Sequence, residues 1–180
     1  VTAPLDAPLD GAIRLPDGAW VRGRGLRNEP PGGPEPAFGL YLGTAKLRRR
    51  HEPELRWESV WLDWPDFRLP RDRDEAVRQI RALHERARAG EAVEVACGGG
   101  VGRTGTVIAC LAVLAGVEPS GAVAWAREHH HPRAVETPWQ RRWAARFPGP
   151  GRRVAAVRRR GSGSRRARRS SCSARWCCRR

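Results

Sequence analysis

Five residues separate Cys97 from Arg103 in the segment Cys97-Gly98-Gly99-Gly100-Val101-Gly102-Arg103-Thr104, and these types at this spacing suit phosphoryl chemistry. Residues 93–96 read as a strand leading into the segment, and an apolar helix leads out of it from Thr104. Backbone N–H groups at a helix N-terminus converge on an anion, and the same field favours a thiolate over a thiol. The Arg103 guanidinium can grip two oxygens of a phosphoryl group at once. Glycine lets such a loop turn its N–H groups inward without Cβ clashes. Cys97 is therefore the candidate nucleophile. Gly98, Gly99, Gly100, Val101, Gly102 and Arg103 are the candidate phosphate ligands, and Thr104 the donor of a hydroxyl to the sulfur.

The loop alone admits other readings. Gly100-Val101-Gly102-Arg103-Thr104-Gly105 fits the G-x-G-x-x-G dinucleotide pattern. That site needs a second strand ending in an acid about twenty residues on, where this chain reads as another helix. A Walker loop would need glycine at 97 and lysine at 103. A glycine turn with a buried structural cysteine is the plain alternative, because arginine is frequent throughout the chain. Trp64-Pro65-Asp66, with Asp66 31 residues before Cys97, weighs against that alternative. Expelling a phenolate or alkoxide from phosphorus needs a proton donor, which neither the cysteine nor the arginine supplies. An aspartic acid on a loop leaving a strand can give that proton and later take one from water.

Ala96-Cys97-x-x-Gly100-x-x-Arg103-Thr104-Gly105, Trp64-Pro65-Asp66 and His131-Pro132-Arg133-Ala134-Val135-Glu136-Thr137-Pro138-Trp139-Gln140 together resemble the protein tyrosine and dual-specificity phosphatases. The resemblance covers about residues 60–147. It implies an α/β fold, a central and mostly parallel sheet flanked by helices. It also implies a two-step hydrolysis through a phosphocysteine, without metal or other cofactor. On it, Cys97 is the nucleophile of the CX5R loop, Arg103 the phosphate ligand, and Asp66 the acid and then the base. A residue of the third motif positions water, and Gln140 is the choice over the negative Glu136. Thr137-x-x-Gln140 is equally a helix capping box. Where the family usually has histidine before the cysteine, this chain has Ala96. The substrate implied is phosphotyrosine in a protein. Phosphoserine, inositides, RNA 5′-phosphates and non-catalytic phosphoprotein binding stand as alternatives, and sulfurtransferases and arsenate reductases have no use for Trp64-Pro65-Asp66.

The remaining elements must position these groups. Leu15-Pro16-Asp17-Gly18 is a turn signal, predicting a hairpin over 13–26. Residues 28–36 hold four prolines and two glycines and predict a loop; 38–42 and 60–62 are candidate strands. Val77, Ile80, Leu83 and Ala87 share a helical face that Asp72 or Asp74 can cap and Gly90 can end. Helices are predicted over 104–115 and 120–129, and one starting at Thr137 with Pro138 first. Tyr41, the one tyrosine, is a candidate wall for a substrate ring. Cys110 and most tryptophans read as core, and His129-His130-His131 as helix-end cations without a metal-ligand set.

The chain of 180 residues carries a formal charge of +15. Residues 149–180 hold twelve arginines and no acid, leaving 22 basic and 19 acidic residues before them, a net of +3. The expected organisation is a loose arm over 1–10, a phosphatase domain over 11–148 and an Arg-rich tail over 149–180. The tail is either a solvated extension or a non-specific contact for polyanions. No basic segment precedes an apolar core at the N-terminus, and the longest apolar run, 107–117, is too short to span a bilayer. A cytoplasmic protein with no membrane insertion, acting on a phosphoprotein or other phosphomonoester, is the expectation.

Overall fold

A computed structural model describes residues 8–150. The Arg-rich tail beyond 150 and the first seven residues of the expected arm lie outside the described part. Leu9, expected in the arm, is buried at 1% exposure, and its carbonyl accepts from the Ala12 N–H. The packed unit thus begins earlier than residue 11.

Five strands form one sheet in the order β1-β2-β5-β3-β4. They are β1 (Ala12–Arg14), β2 (Trp20–Gly25), β3 (Phe38–Gly43), β4 (Glu58–Asp63) and β5 (Val93–Cys97). Only the β1–β2 pairing, the expected hairpin, is antiparallel; β2–β5, β3–β5 and β3–β4 are parallel. Gly18 makes the hairpin turn at φ 92°. The α/β class with a mostly parallel sheet is as the sequence predicted.

Val93, Val95 and Cys97 of β5 join the main core, covered by α2 (Arg73–Arg88), α3 (Gly102–Leu114), α4 (Ala122–His129) and α5 (Pro138–Ala144). All thirteen residues of α3 are buried, which accounts for an apolar sequence without a polar face. Asp72 caps α2 by accepting from the Glu75 N–H. The two alternate residues, Glu94 and Ala96, point to the other face. Ala96 packs there with Leu26 and Tyr41, near α1 (Ala45–His51), a helix the sequence reading did not find. A 3-10 turn, Glu52–Glu54, follows α1.

Glu94 is fully buried and ties three strands together. It accepts from Arg22 Nε at 2.9 Å, Arg24 Nε at 3.0 Å and the Tyr41 hydroxyl at 2.6 Å. A carboxylate so deep is tolerable because its oxygens are paired and bonded. Tyr41 in turn accepts from Trp57 Nε1 at 2.7 Å, and burial, then the Glu94 charge, push its phenol far up. This corrects the expectation for Tyr41: it is a core rivet and cannot wall a substrate pocket.

Candidate active site

In parallel sheets, sites form beyond the carboxyl ends of the strands, and here β5 ends on Cys97 itself. Only four residues separate it from α3, so the chain turns from strand to helix within Gly98–Val101. Gly100 makes that turn at φ 75°, and a Cβ there would lie 2.6 Å from the Gly25 backbone nitrogen. No other residue meets both conditions. Cys97 is 2% exposed, and its Sγ accepts from the Gly100 N–H at 3.2 Å. The loop's carbonyls are fixed from outside: Gly98 O accepts from the Arg27 N–H at 3.1 Å, and Gly100 O bonds His130 Nε2 at 2.8 Å. Across planar trans peptides, the N–H groups of Gly99 and Val101 point away from those partners. This is the orientation an anion cradle requires.

His130 was read in the sequence only as a helix-end cation, and the structure gives it a different place. A side chain on Gly23 of β2 would sit 2.7 Å from its Cε1, so that glycine leaves room for the ring under the loop. A carbonyl can only accept, so Nε2 carries the proton. Burial is the largest influence on the ring and lowers its pKa, keeping it a neutral donor. Among the described residues no group of three or more His, Cys, Asp or Glu is arranged to hold a metal ion.

Arg103 enters from the first turn of α3 and is 4% exposed. Its Nη1 donates to the Leu42 carbonyl at 3.2 Å and the Trp64 carbonyl at 2.9 Å, at the ends of β3 and β4. That leaves the Nε/Nη2 edge, the fork that matches two oxyanion oxygens. Nε is buried without a partner, a state costing about 1–3 kcal/mol. Nη2 is 3.1 Å from Asp66 Oδ1. The loop after β4 therefore places its carboxylate on one prong of the fork, and the other prong is open.

Trp64 anchors that loop from below. It is fully buried, packs edge-on against Trp143 at 5.4 Å, and donates its indole N–H to the Arg68 carbonyl at 2.8 Å. From above, α5 holds the same backbone: Trp139 Nε1 donates to the Phe67 carbonyl at 2.7 Å and Gln140 Nε2 to the Arg68 carbonyl at 3.3 Å. Asp66 itself has a side chain 48% exposed. Phe67 beside it is exposed and sits at φ 54°.

The contacts of Gln140 and Thr104 differ from their expected roles. Gln140 is fully buried and completes the capping box with Thr137, its Oε1 accepting from the Thr137 N–H. With its Nε2 on Arg68, the amide is engaged at both ends in holding chain. The third motif instead brings Glu136 to the Cys97 loop, where a side chain on Gly102 would collide with its carboxylate. The Thr104 hydroxyl is buried with no partner, so its expected bond to the sulfur is not made. Cys97, Arg103 and Asp66 are brought together, the last two in contact. Cys110, about two turns beyond Arg103 along α3, is also buried, and burial alone pushes its thiol well up. A cleft of about 350 Å³ beside Arg24, Glu54, Arg56 and Trp57 contains none of these groups.

No helix among the described residues is long and apolar enough to cross a membrane. The fold is similar to that of Tk-PTP in its active form, with 22% identity over 75% of this chain and 93% of that one at a TM-score of 0.55. It is also similar to the kinase-associated phosphatase crystallised with its catalytic-site cysteine replaced by serine, with 12% identity over 77% and 93% of the two chains at a TM-score of 0.56. No curated protein sequence matches the chain significantly. Residues 65–146 match the family model described as the Swiss Army Knife DSP-PTPase phosphatase domain. This segment holds the Asp66 loop, the Cys97 loop, Arg103 and the third motif, so the similarity to the DSP-PTPase phosphatase domain falls on the residues that build this site.

Proposed function

We propose that this domain is a cysteine-dependent phosphomonoesterase, acting on phosphotyrosine through a phosphocysteine on Cys97. The observation that carries the reading is the Arg103 fork: a buried Nε without a partner beside an Nη2 occupied by an exposed carboxylate. A phosphoryl group bonding both nitrogens satisfies the orphaned donor and displaces Asp66 towards the leaving-group oxygen. The kinase-associated phosphatase, of similar fold, is described as having a cysteine at its catalytic site. Cys97, which joins a central strand to a buried helix, is the cysteine here with a phosphate cradle around it.

In the first step the Cys97 sulfur attacks phosphorus, the bond to the leaving oxygen breaks, and Asp66 protonates that oxygen. In the second, water attacks the phosphocysteine, Asp66 takes its proton, and the P–S bond breaks to return the thiolate. The N–H groups of the loop and the Arg103 fork stabilise the charge spread over the equatorial oxygens in both steps. Glu136, placed against Gly102, accepts a hydrogen bond from the water; Gln140 keeps the Asp66 loop in register.

The test is turnover of 4-nitrophenyl phosphate and of a phosphotyrosine peptide by the full chain. Cys97→Ser loses essentially all activity while still binding the peptide, and acid quenching of the wild type traps phosphate on protein. A Cys97→Ser protein that keeps a tenth of the wild-type rate overturns the assignment of the nucleophile. A wild-type protein that binds the peptide and never hydrolyses it overturns the enzyme reading.

A further inference from the structure

The mouth of the Cys97 loop is polarised. At its Gly102 end stands the Glu136 carboxylate. At its Gly98 end lies Arg27, which follows β2 after Leu26. A Cβ built on Gly98 would lie 3.3 Å from Arg27 Cζ and Nε and 3.4 Å from Nη2, so the guanidinium itself, not only its stem, covers the residue after the nucleophile. The Arg27 backbone N–H is fixed on the Gly98 carbonyl at 3.1 Å, which holds the side chain's root at this spot. Gly98 is buried, whereas Arg27 is exposed.

Several arginines of this surface find an acid. Arg48, Arg71, Arg78 and Arg86 each pair with a carboxylate. The Arg27 side chain makes no hydrogen bond or ion pair among the described residues. It is a second guanidinium at the Cys97 loop, lying over Gly98, with its donors unspent among the described residues. The Arg103 fork is matched to a single phosphoryl group, and Glu136 repels further negative charge at the other end of the loop.

Resting on the phosphatase reading above, we infer that Arg27 sets the substrate class: a phosphomonoester carrying a second anionic group beside the phosphate that is cleaved. That group is either the carboxylate of an acidic residue next to phosphotyrosine or a second phosphate on a small molecule. In both cases it lies on the Gly98 side, away from Glu136. Arg27 touches no reacting atom and acts on affinity, so its signature is in KM and not in kcat.

The experiment uses the full chain. Two phosphotyrosine peptides differing only in aspartate or asparagine beside the phosphotyrosine give the first arm. Inhibition of 4-nitrophenyl phosphate turnover by pyrophosphate and by inorganic phosphate gives the second. Wild type prefers the aspartate peptide, or pyrophosphate, by about fivefold, the scale of an exposed charge pair. Arg27→Ala abolishes that preference by raising KM or Ki for the doubly anionic partner, Arg27→Lys keeps part of it, and 0.5 M salt reduces it in wild type. A preference seen in one arm alone identifies the source of the second anion. Equal factors in wild type and Arg27→Ala in both arms overturn this inference and leave the phosphatase reading standing. No turnover of any phosphomonoester by wild type overturns the phosphatase reading instead.

Discussion

Cys97 is 2% exposed and its loop is held by β2, by His130 after α4 and by α3, whereas Asp66 projects from a loop with its side chain half in water. Both loops follow strands of the same sheet and meet at Arg103, yet they are secured differently. The Cys97 loop is fixed by close backbone approach, with Gly100 against Gly25 and His130 in the space left by Gly23. The Asp66 loop is fixed by side-chain donors reaching its carbonyls, two from α5 and one from Trp64. A phosphate cradle must be preorganised before charge develops. A proton donor must approach a leaving group, give up its proton and let the product out. Rigid backbone contacts serve the first task, and breakable hydrogen bonds serve the second.

Asp66→Asn is the sharpest way to separate the two loops. The amide can occupy the same position on Arg103 but has no proton to give. The expected fall in kcat is about 10²–10⁴ for a poor leaving group, with inhibition by inorganic phosphate retained because the cradle is intact. Phenyl phosphate and 4-nitrophenyl phosphate make the test: the loss is much smaller for the second, whose phenolate departs without help. An equal loss on both would mean that Asp66 is not the proton donor.

The same difference explains what could be read from the chain. The Cys97 loop was legible because its chemistry is local: strand, glycines and helix follow one another within 22 residues, 93–114. Likewise α2 announced itself through Val77, Ile80, Leu83 and Ala87, and α5 through Thr137-Pro138 and Gln140. Helix α1 was not legible, since Lys46-Leu47-Arg48-Arg49-Arg50 offers one apolar side chain and no period. Pairings set by the sheet were not legible either. Register places Tyr41 opposite Ala96 and Leu42 opposite Cys97, so Tyr41 lies on the face away from α3. Ala96 shares that face, packed with Leu26 and Tyr41. His130 carried no signal beyond being the middle of three histidines, because its partner is a carbonyl 30 residues away, and the ring needs the space at Gly23.

His130→Ala probes the fixed side of the comparison. Removing the donor leaves the Gly100 carbonyl without its partner and opens space beneath the loop. About 1 kcal/mol, or roughly five- to tenfold, is the scale of one such bond. Phosphate inhibition and KM weaken by that factor on every substrate, whatever its leaving group, in contrast to Asp66→Asn. The effect on stability depends on pH with a definite sign. Burial holds the folded pKa below the ordinary 6.5, so the unfolded chain binds the proton more readily. The stabilisation is full above 6.5 and is lost as pH falls through the lowered value. Melting temperatures of wild type and His130→Ala should therefore converge from pH 8 to pH 5, and a gap that widens would contradict the neutral-donor role.

Trp139→Phe gives the smallest effect and tests the breakable side. The ring stays, while the N–H that reaches the Phe67 carbonyl at 2.7 Å is lost. Trp139 is 46% exposed, so water competes for the bond, and the loss should be near the low end for a hydrogen bond, about threefold in kcat. Gln140 and Trp64 still hold the next carbonyl, which limits the damage. Because Trp139 would act only by positioning Asp66, its deficit should follow the pattern of Asp66→Asn in miniature: larger for phenyl phosphate than for 4-nitrophenyl phosphate, with phosphate inhibition unmoved. In the Asp66→Asn background Trp139→Phe should add nothing, since there is no proton left to position. An independent, multiplying loss in the double variant would assign Trp139 to the cradle instead, and the division between a fixed loop and a latched one would fall.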